Sequence, residues 1–456
     1  MLDAQGTLFV ADQNNHVIRQ ISPAGRVSTL AGQPGKEGYA DGVGAAALFY
    51  HPRYLALLPD GSLLVAETGN GCLRQVSRQG LVSTWAGTAT NHPRRDGPGA
   101  GLDLDGIQAL AVDAAGAVYL IDNDHNHMIR RILPDRTEPV SPWAGQPNAR
   151  AYADANNTPT AARFNFPDQL LLAPNGTLYV ADVQNHVLRS IAPDGRVRTV
   201  AGEAPRPRVD GPGPVAQFAG PSGLALDPAG NLLVADRGNH LIRRIGPDGQ
   251  VSTVAGRQLV GGETFDANRG VGFYNPAAVA VGPGGTLYVA DEGRHLIQKV
   301  DAQGRLSYWV GQPGEQGTDD AGLMGGGRLN YPVSVAVAAD GSAYSTHRES
   351  RAVRRIAPNG RISTLEGGRS LFVSPFSNES HTYYPTAPAG PCMCCTAPCA
   401  ATRPVAAGPR CWPAIPSPAT WTGWGPKPVS TTLPAWPWTR RATCSWPTGA
   451  TTSFAV

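Results

Sequence analysis

One line of this sequence recurs at an almost fixed interval, and no other feature limits the fold as strongly. GTLFVADQNNHVIRQISPAGRVSTLAG at 6–32 returns as GTLYVADVQNHVLRSIAPDGRVRTVAG at 176–202 and as GNLLVADRGNHLIRRIGPDGQVSTVAG at 230–256. Weaker copies begin at Gly61, Gly116, Gly285 and Gly341, so successive spacings are 55, 55, 60, 54, 55 and 56 residues. At such a period each copy is one supersecondary unit that buries its apolar faces against its neighbours.

Each copy divides into apolar runs of four to six residues bounded by Gly, Pro and Asp, as in GLALD, LLVAD, HLIRRI and VSTVAG within 223–256. Runs of that length and punctuation are strands joined by tight turns, and helical periodicity is absent. Four antiparallel strands per unit at constant period predict an all-β chain folded as a β-propeller of six to seven blades. First strands are expected near residues 54, 108, 169, 223, 278 and 333, and residues 7–31 supply three further strands without a first one. The strand-like LFVSPF at 371–376 is the expected closing strand. Propeller sequence runs from 1 to 370.

The pattern V-A-D-x-x-N-H-x-I-R followed by G-x-V-S-T-x-A-G resembles the NHL-repeat family over residues 1 to about 367. That resemblance implies a β-propeller, most often of six blades, that serves as a binding platform. It also brings an alternative, because related propellers include channel-centred hydrolases and lyases, lactonase-like or amidating-lyase-like. Those hold a metal in the central channel.

The repeated polar residues are Asp12, His16 and Arg19; Asp122, His127 and Arg130; Asp182, His186 and Arg189; Asp236, His240 and Arg243; and Asp291 with His295. A metal centre needs three or four ligands converging on one point. A residue repeated once per blade lies instead on a wide circle, so these groups are expected to be structural hydrogen-bonding pairs at the second-to-third-strand turn. Glu67, Gly71 and Gln298 depart from the pattern, and His347 stands at an Asp position.

Catalysis would require unique residues in the channel. The segments that open the innermost strands offer only Arg53, Asp105 and Asp168 as charged groups, a candidate channel mouth with no His or Cys among them. The long blade-to-blade connections differ in content, and each keeps an acidic turn, at Asp41, Asp96, Asp154, Asp210, Asp266 and Asp319. Variable loops on a rigid scaffold are where recognition sits, so these loops are the candidate binding face. Calcium is chemically suited to such turns, but one carboxylate per loop is too few, and no cofactor is expected. The reading is a non-catalytic, monomeric scaffold for a protein, peptide or glycan ligand, placed outside the cytoplasm.

Composition narrows the partners. Net charge is +3 with 16% charged residues, and the basic runs 93–95 and 206–208 form no continuous stripe, which disfavours nucleic acid. No apolar run approaches the roughly 20 residues that span a bilayer. Residues 371–456 break the composition, with six of seven cysteines and six of nine tryptophans after 391. CMCCTAPC at 392–399 has a spacing that fits no metal-ligand pattern. Tryptophan has a single codon, TGG, so reading from its third base forces the next residue. Trp421, Trp424, Trp436, Trp438 and Trp446 then give Asp, Gly, Ala, Asp and Ala at blade offsets. The tail is therefore expected to be a frameshifted further blade, an expectation that an uninterrupted, confirmed reading frame at the locus would overturn.

Overall fold

The computed structural model describes residues 1–366 apart from 88–96, 99–103, 105, 124–126, 136–138, 141, 148, 157, 203–209, 257–271, 321–326 and 349–351. The closing-strand candidate at 371–376 and the expected frameshifted tail lie outside the described residues. Within them the chain forms seven antiparallel blade sheets in sequence order, arranged as a β-propeller, and a further two-stranded sheet of Gly97–Pro98 with Pro139–Val140. Blades 2 to 7 have four main strands each, running from the central channel outwards, and blades 2 and 5 add a short fifth strand at the outer edge. Their innermost strands are Pro52–Leu57, Ile107–Val112, Pro167–Leu172, Pro221–Leu226, Pro276–Val281 and Pro332–Val337. Blade 1 has three, Leu8–Asp12, Val17–Ile21 and Val27–Ala31. An isolated bridge between Leu2 and Leu8 takes part of the place of its innermost strand.

The sequence builds these sheets from local rules. The glycine that opens each repeat sits in the turn between first and second strands with positive φ, 80° at Gly6, 81° at Gly176 and 82° at Gly230, a region that L side chains avoid. The second strands, such as Leu63–Glu67 and Leu232–Asp236, are buried along their whole length. Each blade is covered on both faces by its neighbours, so these strands are continuous apolar runs rather than alternating ones.

The core is distributed. Seven hydrophobic clusters fill the seven gaps between successive blades. Phe9, Phe49 and Val65 lie between blades 1 and 2, and Leu64, Trp85 and Ile107 between blades 2 and 3. The ring closes through Leu8, Val10 and Ile21 of blade 1 packed against Tyr344 and Val353 of blade 7. Burial of each such Leu, Val or Phe contributes about 1.5–3 kcal/mol, shared by two blades at every gap.

Candidate functional site

The repeated Asp, His and Arg form one network per blade, at the end of the second strand. In blade 4, Asp182 accepts hydrogen bonds from the Asn165 N–H at 2.8 Å, the Asn185 side-chain amide at 2.8 Å and Arg189 at 3.2 Å. Asp236 repeats this with the Ala219 N–H, Asn239 and Arg243 at 2.8, 2.8 and 3.1 Å. Glu67 does the same for the Tyr50 N–H and Arg74, and Asp291 for the Tyr274 N–H and Gln298. The fold of the network survives replacement of its members: in blade 7 His347 Nδ1 accepts from the Asn330 N–H at 3.2 Å. Asp122 pairs with Arg130 at 2.8 Å, and Asp12 with Arg19 at 3.2 Å.

Each histidine joins its blade to the next. Nδ1 of His16, His127, His186, His240 and His295 accepts the N–H of His51, Phe166, Gly220, Asn275 and Tyr331, at 3.0–3.3 Å. These donors stand immediately before the innermost strand of the following blade. The histidines themselves adopt left-handed backbone, with φ of 50–60°. Gly71, at the equivalent position of blade 2, has φ of 60°, so the departure from His keeps the backbone and gives up the clasp. Burial lowers the pKa of His16, His186 and His295, which keeps the imidazole neutral and its nitrogen free to accept.

The acidic turns of the connecting loops enter the same networks. Asp41 accepts from Arg74 at 2.6 Å and from the Thr84 N–H at 3.1 Å. Asp154 receives Arg189 and Thr199, and Asp210 receives Arg243 and Thr253, with the same geometry. In blade 7 the corresponding residue is Asp320, bonded to Arg354 and Thr364, while its neighbour Asp319 pairs with Arg328. The arginines lie beneath aromatic rings, Arg243 at 4.9 Å from the centroid of Phe218 and Arg74 at 4.8 Å from Tyr39. These carboxylates therefore fasten each loop to its blade. Asp96 and Asp266 lie outside the described residues.

The polar groups outside the repeated pattern stand at the starts of the innermost strands instead. In every four-stranded blade the pairing of first and second strands slips just after the residue that opens the first strand. Such a bulge re-aims a side chain, and the residues at the slip are Arg53, Gln108, Asp168, Ser222, Ala277 and Val333. Gln108 donates to Asp168 at 2.8 Å, and the charges of Arg237 and Arg53 act on the same carboxylate. Burial dominates and pushes the Asp168 pKa up to about 6. Asp105 lies outside the described residues. The turn position after the signature Asp adds charges that lie outside the repeated pattern. Glu292 takes Arg237 on one carboxylate oxygen and Arg348, at 2.6 Å, on the other. That position reads Gln13, Thr68, Asn123, Val183, Arg237, Glu292 and Arg348 around the ring. It is variable inside an otherwise fixed motif, and this variability was the signal available to find it.

The molecule is thus a repeat-built, seven-bladed β-propeller whose recurring polar residues serve the scaffold. Residues 218–245 and 273–300 match the NHL-repeat model, so the chain carries NHL repeats. It is similar to NHL repeat-containing protein 2 from Homo sapiens, 28% identical over 331 residues, covering 66% of this chain and 45% of that protein. Teneurin-3 from Danio rerio is 29% identical over 344 residues, covering 65% of this chain and 12% of that one. The chain thus spans less than half the length of these relatives. Among solved structures, virginiamycin B lyase from Staphylococcus aureus aligns with a TM-score of 0.46 at 16% identity, over 69% of this chain and 83% of the other. An auxiliary nutrient binding protein from Bacteroides ovatus aligns at 0.44 and 16%, over 68% of each chain.

Proposed function

We propose that this propeller is a non-catalytic binding scaffold that recognises a protein, peptide or glycan ligand through its loop-bearing face, centred on the channel mouth. The observation that carries this reading is the Arg237–Glu292–Arg348 bridge. It consists of charged side chains that no blade-to-blade rule demands, held with Arg53 and Asp168 on the face where the loops emerge. Preorganised charges of both signs suit a partner with complementary polar groups and set specificity more than raw affinity. A channel hydrolase or lyase would need several ligating or acid–base groups converging on one point. Among the described residues no group of three or more His, Cys, Asp or Glu is close enough to hold a metal ion.

The test is to probe peptide, protein and glycan arrays with the full chain and then titrate the best ligand against Arg348→Gln. We expect saturable binding that weakens at least tenfold in the variant, equivalent to about 1.4 kcal/mol, with thermal stability retained. A ligand indifferent to Arg348, or turnover of a lactone or ester substrate by the wild-type chain, would refute the reading.

A further inference from the structure

The turn that follows the second strand is charged on one side of the ring only. Its first residue is Gln13, Thr68, Asn123 and Val183 in blades 1 to 4, and Arg237, Glu292 and Arg348 in blades 5, 6 and 7. The last three each stand one residue beyond a second strand, Leu232–Asp236, Leu287–Asp291 and Ala343–His347. Two of these turns are tied to the segments before the innermost strands. The Glu292 N–H donates to the Asn275 carbonyl at 3.2 Å, and the Arg348 N–H to the Tyr331 carbonyl at 2.9 Å. Charges far apart in the sequence are thereby held side by side on neighbouring blades.

The bridge is layered. The Glu292 side chain is 3% exposed, against 13% for Arg237 and 33% for Arg348, so the carboxylate lies beneath and the guanidiniums reach solvent. Asp291, in the strand before Glu292, has the charge of Arg294 to oppose it, and Asp168 has those of Arg53 and Arg237. Four arginines thus face three carboxylates, and the surplus positive charge lies on the solvent side. A buried carboxylate shared by two guanidiniums holds their planar forks in place, and such a fork recognises a carboxylate through paired, charge-assisted hydrogen bonds. The neighbouring rings are already packed, which disfavours a sugar stacked on them. Tyr274 is stacked on His240 and leaves no room for a Cβ at Gly293, and Tyr331 lies against His295 with ring centroids 4.3 Å apart.

We infer that the turns of blades 5 to 7 take an acidic peptide segment of a partner protein, with an Asp or Glu side chain seated on Arg348 and Arg237. The inference rests on the reading of this face as the binding face and narrows the partner to one with an exposed acidic stretch.

The test is an anisotropy titration of the full chain with labelled hexaglutamate, hexaglutamine, hexalysine and hexagalacturonate, the last a glycan of equal charge. Hexaglutamate is expected to bind saturably, and the other three roughly tenfold more weakly or worse. Arg348→Gln should weaken hexaglutamate by about tenfold or more with the melting temperature close to wild type, and Arg348→Lys, which keeps the charge without the fork, by less. Arg196→Gln, in the third-to-fourth-strand turn at the opposite end of blade 4, should leave binding unchanged. Four results would each overturn the inference: hexagalacturonate bound as well as hexaglutamate, Arg348→Gln equal to wild type, equal losses in Arg348→Gln and Arg196→Gln, or no saturable binding of hexaglutamate. The wider reading of the face is scored apart from these, because a neutral or glycan array ligand sensitive to Arg348 would sustain it while this inference fell.

Discussion

The signature arginines show how much a single side chain can hold. Arg189 is fully buried and touches Asp182, Asp154 and two loop carbonyls, from Arg163 and Ala153. Arg189→Ala would leave a buried carboxylate without its partner and release the loop. A loss of about 3–5 kcal/mol is expected, read as a shift of the urea midpoint. Histidine and aspartate respond to pH in opposite senses. The folded-state pKa of His186 is depressed, so its contribution is fully present above the unfolded value of about 6.5 and is lost as pH falls through the folded value. Asp182 and Asp236 are raised to about 6 by burial, so their contribution is greatest in acid and declines as pH climbs from about 3.8 to 6. Asparagine tolerates left-handed backbone, and His186→Asn isolates the histidine term. Its cost in melting temperature should be largest near pH 7.5 and shrink towards pH 5. A cost independent of pH would contradict the clasp. Asp12 departs from Asp182 and Asp236. Its Oδ1 is buried with no hydrogen-bond partner, at the position where Asp182 and Asp236 accept an N–H from the segment before their innermost strand.

At the level of the element, the turn between second and third strands depends on one left-handed residue. Gly71→Ala places a Cβ at φ of 60° and should cost about 1–2 kcal/mol. Gly71→Asn should cost less, because its short polar side chain visits that region routinely. Equilibrium unfolding of the two variants separates backbone strain from loss of packing. The innermost strands carry their bulge at Arg53 and Asp168, next to the buried Tyr54 and Gln169.

Across the whole molecule, stability comes from seven similar interfaces rather than one core. Among the described residues, blades 2 to 7 each add an innermost strand, whereas blade 1 has the Leu2–Leu8 bridge and the hydrogen bonds between Met1 and Phe9 at that edge. Fewer ladder bonds and fewer buried contacts mean a lower local opening energy. Amide exchange of the full chain should therefore be fastest in strands 8–31, and slowest in the second strands of blades 4 and 5. Uniform protection around the ring would show that closure against blade 7 compensates fully. The packing of Tyr344 on Leu8 and Val10 is the link to examine. Tyr344→Ala should cost about 3–5 kcal/mol, by analogy with other buried aromatics, and should increase exchange in blade 1 more than elsewhere.

The sequence by itself determined the period, the strand content and the places of the turns. Each of these follows from local chemistry: glycine where φ is positive, Pro and Asp at strand ends, and apolar runs where both faces are covered. It also identified Asp182, Arg189 and their counterparts as structural, because a once-per-blade residue cannot converge with its copies. Only the tertiary structure decided which polar groups are engaged and which face the mouth. The partners of Asp41 and Asp210, Arg74 and Arg243, lie 33 residues away along the chain, and Arg237 meets Glu292 across 55. Contacts between blades depend on how copies stack around the ring. A motif read one copy at a time contains no information about that stacking.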